Sequence, residues 1–420
     1  MTVKKNFAWT LGGPLPRIEA HSERKLEVLR RYLDVYFDTV ASIPHMDCLK
    51  IAIVDGFCGG GKYQRGEETI PGSPLIILDA VRDAQERLNR DRRKPFEIAA
   101  SFHFVDDEPD HIEHLRGVIE AAGYADKLGS TIHLYPGKFA EHLPTIMAKI
   151  SDRQRAGRSI FLLDQWGYLD VPMASIRAIF GKLTRAEVLL TFSIDALLNY
   201  LSTDRKASAT LAQFGVDREF ISMWEANKSD IDFSRITAQR AVMSHLRNNS
   251  QALFFTPFML FSQASGRMMM FAHLSQHQTA RDKMLGVHWD FQNRFTHIGR
   301  GSLFELGFDA RLLEDKGSLF RFTELDRETM MGELREELPD KVLGMLGAGP
   351  ISLGELMAVL GNQTAARNTD IFSVLQTLAA ERVLEIVSKE GREKRPTTAL
   401  KISDRLAMPR QKTFWFGSKG

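Results

Sequence analysis

The chain is poor in cysteine. Cys48 and Cys58 are the only two in 420 residues. That excludes a disulfide framework, a CxxC redox pair and an all-cysteine metal site built by this chain alone. No apolar run approaches the length of a membrane span. The first residues, MTVKKNFAWTLGGPLPR, lack the apolar core of a signal peptide. These absences predict a cytoplasmic protein. A charge excess of one sign is missing too: 55 Lys and Arg against 53 Asp and Glu leave +2, so any nucleic-acid footprint has to be local. Internal repeats and low-complexity tracts are also absent. The length suits two or three globular domains.

What is present is an alternation of strand-like and helix-like stretches. Residues 1–45 read as a lead-in and then a helix from Ser22, with Leu26, Leu29, Leu33, Tyr36 and Val40 at helical spacing. An apolar strand at 49–54 ends in Asp55 and a turn containing Gly56, Gly59, Gly60 and Gly61. Residues 62–74 are polar and turn-rich, and are expected to form a long loop. Pro74 opens the next helix. Strands at 98–105, 131–135, 159–163 and 187–192 then alternate with helices, which predicts an α/β fold with a doubly wound, Rossmann-like parallel sheet. Residues 195–250 look like a helical insertion. Residues 252–262 and 267–274 read as a hairpin closing a domain that spans 46–325. From 326 to 408 the order helix, helix, helix, strand, basic turn, strand predicts a winged helix-turn-helix, with helices at 339–346, 351–360 and 365–380 and strands at 384–387 and 399–402. Residues 409–420 form a tail.

Three acids end three strands: Asp55 the first, Asp106 (followed by Asp107) the second, and Asp164 the fourth. Open α/β sheets bind ligands at the carboxyl ends of their strands, and an acid after the second strand accepts hydrogen bonds from ribose hydroxyls. Glycines let backbone come close to a ligand. Read from Gly56, the turn lacks GxGxxG, so a nicotinamide-binding domain fits less well. The order, ending in an antiparallel hairpin, resembles the class I S-adenosylmethionine-dependent methyltransferase fold. Base-nitrogen methyltransferases carry an Asp/Asn-Pro-Pro-aromatic turn after the fourth strand, where the target amine is held and the base is stacked. Asp164, Gln165, Trp166 and Tyr168 stand there in this chain, with Gln165 in the place of a proline. Packing alone is the alternative account of both the glycine turn and Trp166.

The stretches HSERKLEVLRRYL (21–33), VDGFCGGGKYQRGEETIPGSPLIIL (54–78), FHFVDDEP (102–109), FLLDQWGYLDVP (161–172) and EVLLTF (187–192) resemble the three-Cys-motif partner (TcmP) family over roughly residues 20–300. The resemblance implies a methyltransferase-like protein using S-adenosylmethionine, and a radical-SAM-like partner that carries the three cysteines. It places Asp55, Gly56, Phe57 and Gly59 along the cofactor, Asp106 (with Asp107 beside it) at the ribose, and Asp164 on the catalytic face. Family members commonly show Asp-Pro-Phe-Gly at 164–167, where this chain has Asp-Gln-Trp-Gly.

A winged helix reads the major groove with its third helix and the backbone with its wing. Thr364, Arg367 and Asn368 are expected at the exposed start of that helix, and Arg and Asn suit guanine and adenine edges. The wing carries Lys389, Arg392, Lys394 and Arg395 against Glu390 and Glu393. Lys62, Tyr63 and Arg65 are candidates for substrate phosphates. Protein contact is the other use of such a module. Cys58 is either a stabilised thiolate or a packing residue. His273 and His277 are four apart with no third ligand nearby, so no metal site is expected. Together these features predict a methyltransferase-like protein acting on nucleic acid, DNA rather than RNA. The alternative is a catalytically silent nucleic-acid-binding accessory subunit in DNA repair or phage defence.

Overall fold

A computed structural model of the chain describes residues 8–42, 46–90, 92–154, 157–165, 170–193, 246–262, 267–291, 297–298, 319–320, 323–362 and 364–409. Trp166, Tyr168, the insertion up to residue 245 and the tail from 410 lie outside these. Two compact units emerge: residues 1–300 with 307–322, and residues 301–306 with 323–420.

The first unit is built on β1 (Cys48–Asp55), whose residues 51–55 are all buried. An apolar run without alternation is what a strand covered on both faces requires. Parallel to it run β4 (Glu97–Asp106) on one side and β6 (Ser159–Asp164) on the other. Outside these lie β5 (Ile132–Pro136) and β7 (Ala186–Ser193), also parallel. The sheet ends with β9 (Arg267–Ser275), antiparallel to β7, and β8 (Phe254–Ser262), antiparallel to β9. The full order is β5-β4-β1-β6-β7-β9-β8. The expected mostly parallel α/β sheet and its closing hairpin are therefore both present. The chain winds outward from β1 in one direction and from β6 in the other, so the switch point falls between their carboxyl ends.

Helices cover both faces. Val54, Phe161, Leu163, Val188 and Leu190 point into one core with α4 (Phe139–Arg153) and α5 (Met173–Lys182). Ile51 and Ile53, fully buried, point the other way, to the face covered by α1 (Ala20–Ala41) and α2 (Ser73–Asn89). Helix α1 begins at Ala20, two residues before the expected Ser22. It also packs on α6 (Gln278–Asp290). Helix α3 (Pro109–Ile119) follows β4. No helix among the described residues is long and apolar enough to cross a membrane.

The expected loop at 62–74 is instead a hairpin of β2 (Lys62–Arg65) and β3 (Glu68–Pro71), turning at Gly66 with φ +59°. Its polar arms hid it from the sequence pattern. The lead-in extends this small sheet: the Ile18 N–H donates to the Gln64 carbonyl and the Gln64 N–H to the Pro16 carbonyl, at 3.0 and 2.9 Å.

Among the described residues the second unit has three helices, α7 (Glu324–Leu346), α8 (Leu353–Leu360) and α9 (Asn368–Ala380). After β10 (His297–Ile298) and β11 (Leu319–Phe320), an antiparallel pair of the first unit, strands β12 (Ile351–Ser352), β13 (Glu385–Val387) and β14 (Arg405–Ala407) form an antiparallel sheet in the order β12-β14-β13. Helix α7 runs through Pro339 rather than starting there. The strand expected at 399–402 lies instead at Arg405–Ala407, because 388–404 is a longer tip than its charge pattern suggested.

Candidate functional site

The carboxyl ends of β1, β4 and β6 bring Asp55, Asp106 and Asp164 to one end of the sheet, as the strand pattern implied. Their environments differ. Asp55 is fully buried. Its Oδ1 accepts the Phe57 N–H at 3.1 Å, the Ser73 hydroxyl stands beside the carboxyl, and among the described residues no cation is paired with it. Burial pushes the carboxyl up to about 7; the Ser73 hydroxyl and the Phe57 amide pull against this, and Asp164 and Asp106 add to it.

Asp106 is committed to the turn. Its Oδ2 accepts the Gly59 N–H at 2.9 Å, and its Oδ1 accepts the Glu108 N–H at 3.1 Å and lies 2.8 Å from Nδ1 of His111. Asp107 is exposed. Asp164 is held by Lys25 of α1, whose ammonium lies 2.6 Å from both carboxylate oxygens. The Lys25 side chain is 11% exposed and that of Asp164 34%.

Lys25 is positioned by packing further along its helix. Tyr32 lies seven residues on, hence on the same face. Its hydroxyl donates to the buried Glu187 of β7, and Glu187 lies 3.1 Å from Nε2 of His273 on β9. This network pins α1 to the sheet and carries Lys25 over the strand ends. The sequence signal for it was a lysine four residues before Leu29, extending the buried stripe of the helix. His273 is thereby a buried network member, whereas His277 caps α6 by accepting the Thr279 N–H.

The glycine turn is shaped by Trp9. A Cβ at Gly59 would sit 2.7 Å from the Trp9 ring, and one at Gly60 would overlap that side chain. Gly59 also has φ +58°, where a side chain is strained. The Trp9 indole donates to the Lys62 carbonyl at 2.5 Å and meets Tyr63 and His111 edge-on, with centroids 5.1 and 4.9 Å away. Gly56 faces Phe139 and Leu163, where a Cβ would fall at 2.9 and 2.8 Å, and the Phe57 ring packs 6.4 Å from Phe139. The turn glycines are thus demanded by packing. Cys58 is buried, and burial pushes its thiol well up, which leaves it a packing residue. Tyr63 lines the acid cluster: burial first, then Asp164, Asp55 and Asp106, push its phenol up, so it stays neutral.

Other sequence candidates are placed as follows. Gln165 is buried, and its Oε1 accepts the Val171 N–H at 3.1 Å, so it ties the end of β6 to Val171. Arg65 is engaged by Glu23 and Glu68, and Lys62 is partly exposed on the hairpin. In the second unit Thr364 is buried, contrary to expectation, where its hydroxyl accepts the Ala366 N–H. Arg367 and Asn368 are half-buried at the start of α9. The exposed positions of α9 are Thr369, Ser373, Thr377 and Ala380, without a cation. Lys394 is turned inward onto Asp404 at 2.7 Å, whereas Lys389, Arg392 and Arg395 are exposed at the tip. Among the described residues no group of three or more His, Cys, Asp or Glu could hold a metal ion.

Topology and site define a class: a mixed α/β domain with a mostly parallel, Rossmann-like sheet and an acidic cluster at its switch point. No protein-family profile and no curated protein matches the sequence. Among solved structures, the chain is similar to EvdMO1 at 10% identity, covering 76% of this chain and 63% of that one, with a TM-score of 0.27. It is also similar to a structure from Galdieria sulphuraria described as a sarcosine dimethylglycine methyltransferase, at 9% identity, covering 58% of this chain and 84% of that one, with a TM-score of 0.21. The chain thus spans less than two thirds of the length of EvdMO1. At this level of superposition neither likeness bears on chemistry.

Proposed function

We propose that the first unit binds S-adenosylmethionine as a methyltransferase-like domain. The observation that carries this reading is the fully buried carboxyl of Asp55 at the sheet's switch point, with no cation paired to it among the described residues. The antiparallel close of the sheet supports it, since a classic dinucleotide-binding sheet continues parallel through its sixth strand. The residues fit a cationic ligand. Asp55 presents a buried carboxyl that lacks a counter-charge among the described residues, and Asp164 and the neutral Tyr63 stand beside it. Two assignments shift. Gly59 and Gly60 serve Trp9, and Asp106 serves the turn, so we assign the ribose hydroxyls to the exposed Asp107. Bound there, the cofactor would supply an electrophilic methyl group; Asp164, oriented by Lys25, is the group placed to hold a substrate amine.

The finer proposal is a nucleic-acid substrate, DNA before RNA, with the second unit acting as a winged helix. The exposed Lys389, Arg392 and Arg395 support it. A three-cysteine-motif, radical-SAM-like protein is the proposed partner. A second reading, a catalytically silent accessory subunit, is favoured by one specific observation: Gln165 spends its side chain on an internal brace where a catalytic turn would present it. Calorimetry with S-adenosylmethionine tests the first proposal, which predicts saturable binding weakened by Asp55→Asn; no heat at millimolar ligand refutes it. Transfer of a labelled methyl group to DNA or RNA decides between the active and silent readings. Binding to duplex DNA that is unchanged by Arg392→Glu with Arg395→Glu would rule out the wing as the nucleic-acid contact.

A further inference from the structure

The β2–β3 hairpin forms its own two-stranded sheet and shares no ladder with the seven-stranded one. Its two feet are glycines. Gly61 has φ +87°, and the Gly72 N–H donates to the Gly61 carbonyl at 2.8 Å. A Cβ at Gly72 would fall 3.0 Å from that carbonyl oxygen, so the feet close on each other because no side chain intervenes. Between the feet every residue is half-buried or exposed. Tyr63 is the ring this hairpin sets beside Asp164, Asp55 and Asp106. Asp55 and Cys58, at the turn below, are 0% and 2% exposed.

An isolated two-stranded hairpin is marginally stable in water, so what holds this one lies outside it. The lead-in supplies the hold: backbone bonds from Pro16 and Ile18 to Gln64, and Trp9, whose indole donates to the Lys62 carbonyl at 2.5 Å and whose ring meets Tyr63 edge-on. The same ring lies against Gly59 and Gly60 and covers the turn. The tie from Arg65 to Glu23 of α1 is exposed on the arginine side, and ion pairs of that kind contribute little. Trp9 is itself carried on a loose strap. Among residues 8–15 it alone is buried, and residues 10–15 make no hydrogen bond to the rest of the described chain.

We infer that the β2–β3 hairpin is a flap over the switch-point site, hinged at Gly61 and Gly72 and latched by Trp9, and that a ligand reaches Asp55 when the latch is withdrawn. Opening breaks the indole bond and the Gln64 bonds and leaves every ladder of the main sheet intact. It therefore exposes little surface and proceeds without unfolding the domain. The flap and its latch do not depend on which ligand binds below them; the admission step rests on the cofactor reading above.

The two cysteines make the opening measurable, since Cys48 is exposed and Cys58 is buried beneath the flap. The test is iodoacetamide labelling of the full-length protein at pH 8, read at each cysteine by peptide mass spectrometry over a urea series below the unfolding midpoint. Cys58 is expected to label at least about a hundredfold more slowly than Cys48, at a rate that stays flat in low urea. Trp9→Phe keeps a ring but loses the indole donor; it should speed Cys58 about tenfold and leave Cys48 unchanged. Arg65→Ala should speed Cys58 by less than about fivefold. Equal labelling of the two cysteines in wild type overturns the inference. So does a Cys58 rate that climbs with the full unfolding slope from the lowest urea, or one that ignores Trp9→Phe. For admission, S-adenosylmethionine should associate about tenfold faster with Trp9→Phe than with wild type, because the open fraction sets the rate; an unchanged rate overturns that step. If S-adenosylmethionine binds neither protein, the cofactor reading falls, and the labelling series still decides the flap.

Discussion

Alanine at Gly60 is the sharpest probe of how the glycine turn is built. The backbone there is not left-handed, so alanine is conformationally acceptable. The new methyl would, however, overlap Cβ, Cγ and Cδ1 of Trp9. Trp9 cannot yield cheaply: it is 4% exposed, bonded through its indole to the Lys62 carbonyl and packed against Tyr63 and His111. Overpacking of this kind costs about 1–3 kcal/mol. Replacing glycine by alanine in a compatible conformation returns about 0.4–1 kcal/mol through the unfolded chain. The single substitution should therefore cost about 1–2 kcal/mol by those two effects. Trp9→Ala should cost about 3–5 kcal/mol. In the double variant the methyl enters the space Trp9 vacates, so adding Gly60→Ala should be neutral or slightly stabilising. That is a coupling of about 1–3 kcal/mol, within the range for residues in contact. Urea unfolding of the four proteins, followed by far-UV circular dichroism, measures it as midpoint shifts at constant slope. If Gly60→Ala costs the same with and without Trp9, the tryptophan does not shape this turn and the reasoning fails.

Three further outcomes are expected. Folded Asp55 keeps its proton up to about pH 7, whereas the unfolded group loses it near the ordinary aspartate value of 3.8, so stability falls as pH rises through that window. Wild type should lose about 2 kcal/mol relative to Asp55→Asn between pH 5.5 and 7; parallel stability profiles would contradict the burial of that carboxylate. Lys25→Met strips Asp164 of its cation and should cost about 1.5–3 kcal/mol, with intact helix content by circular dichroism; no change in midpoint would mean the pair is idle. Lys394→Met leaves the 3% exposed Asp404 without its partner and should lower the second unit's stability by about 3–5 kcal/mol, whereas Arg395→Glu, exposed, should stay within about 0.5 kcal/mol. Equal effects of the two would return Lys394 to the surface.

The strand pattern made the frame of the first unit legible. Apolar runs at β1, β6 and β7 carry their burial on both faces in the sequence itself, and an acid at a strand end is visible without a structure. What stayed hidden is what depends on contacts distant in sequence. Trp9 lies 50 and 51 residues from the glycines it shapes, and Lys25 is separated by 139 residues from Asp164. No local period encodes either. The β2–β3 hairpin was missed because its arms are short and polar, so alternation could not announce them. Gln165 illustrates a different limit. Its place in a motif suggested a role facing the ligand, but an amide side chain can equally turn inward to satisfy backbone, and the Val171 N–H is where it goes. In the second unit the four cations of the expected wing looked alike in sequence; burial separates Lys394, paired with Asp404, from the three at the surface.

The central claim is that a cofactor lies against the carboxyl ends of β1, β4 and β6, beside Asp55. Amide hydrogen exchange of the full chain with and without S-adenosylmethionine tests it most directly. The account predicts slowed exchange at residues 55–61 and 106–111, and an unaltered rate across α7 to β14. Protection confined to the second unit, or none anywhere at millimolar ligand, would contradict it.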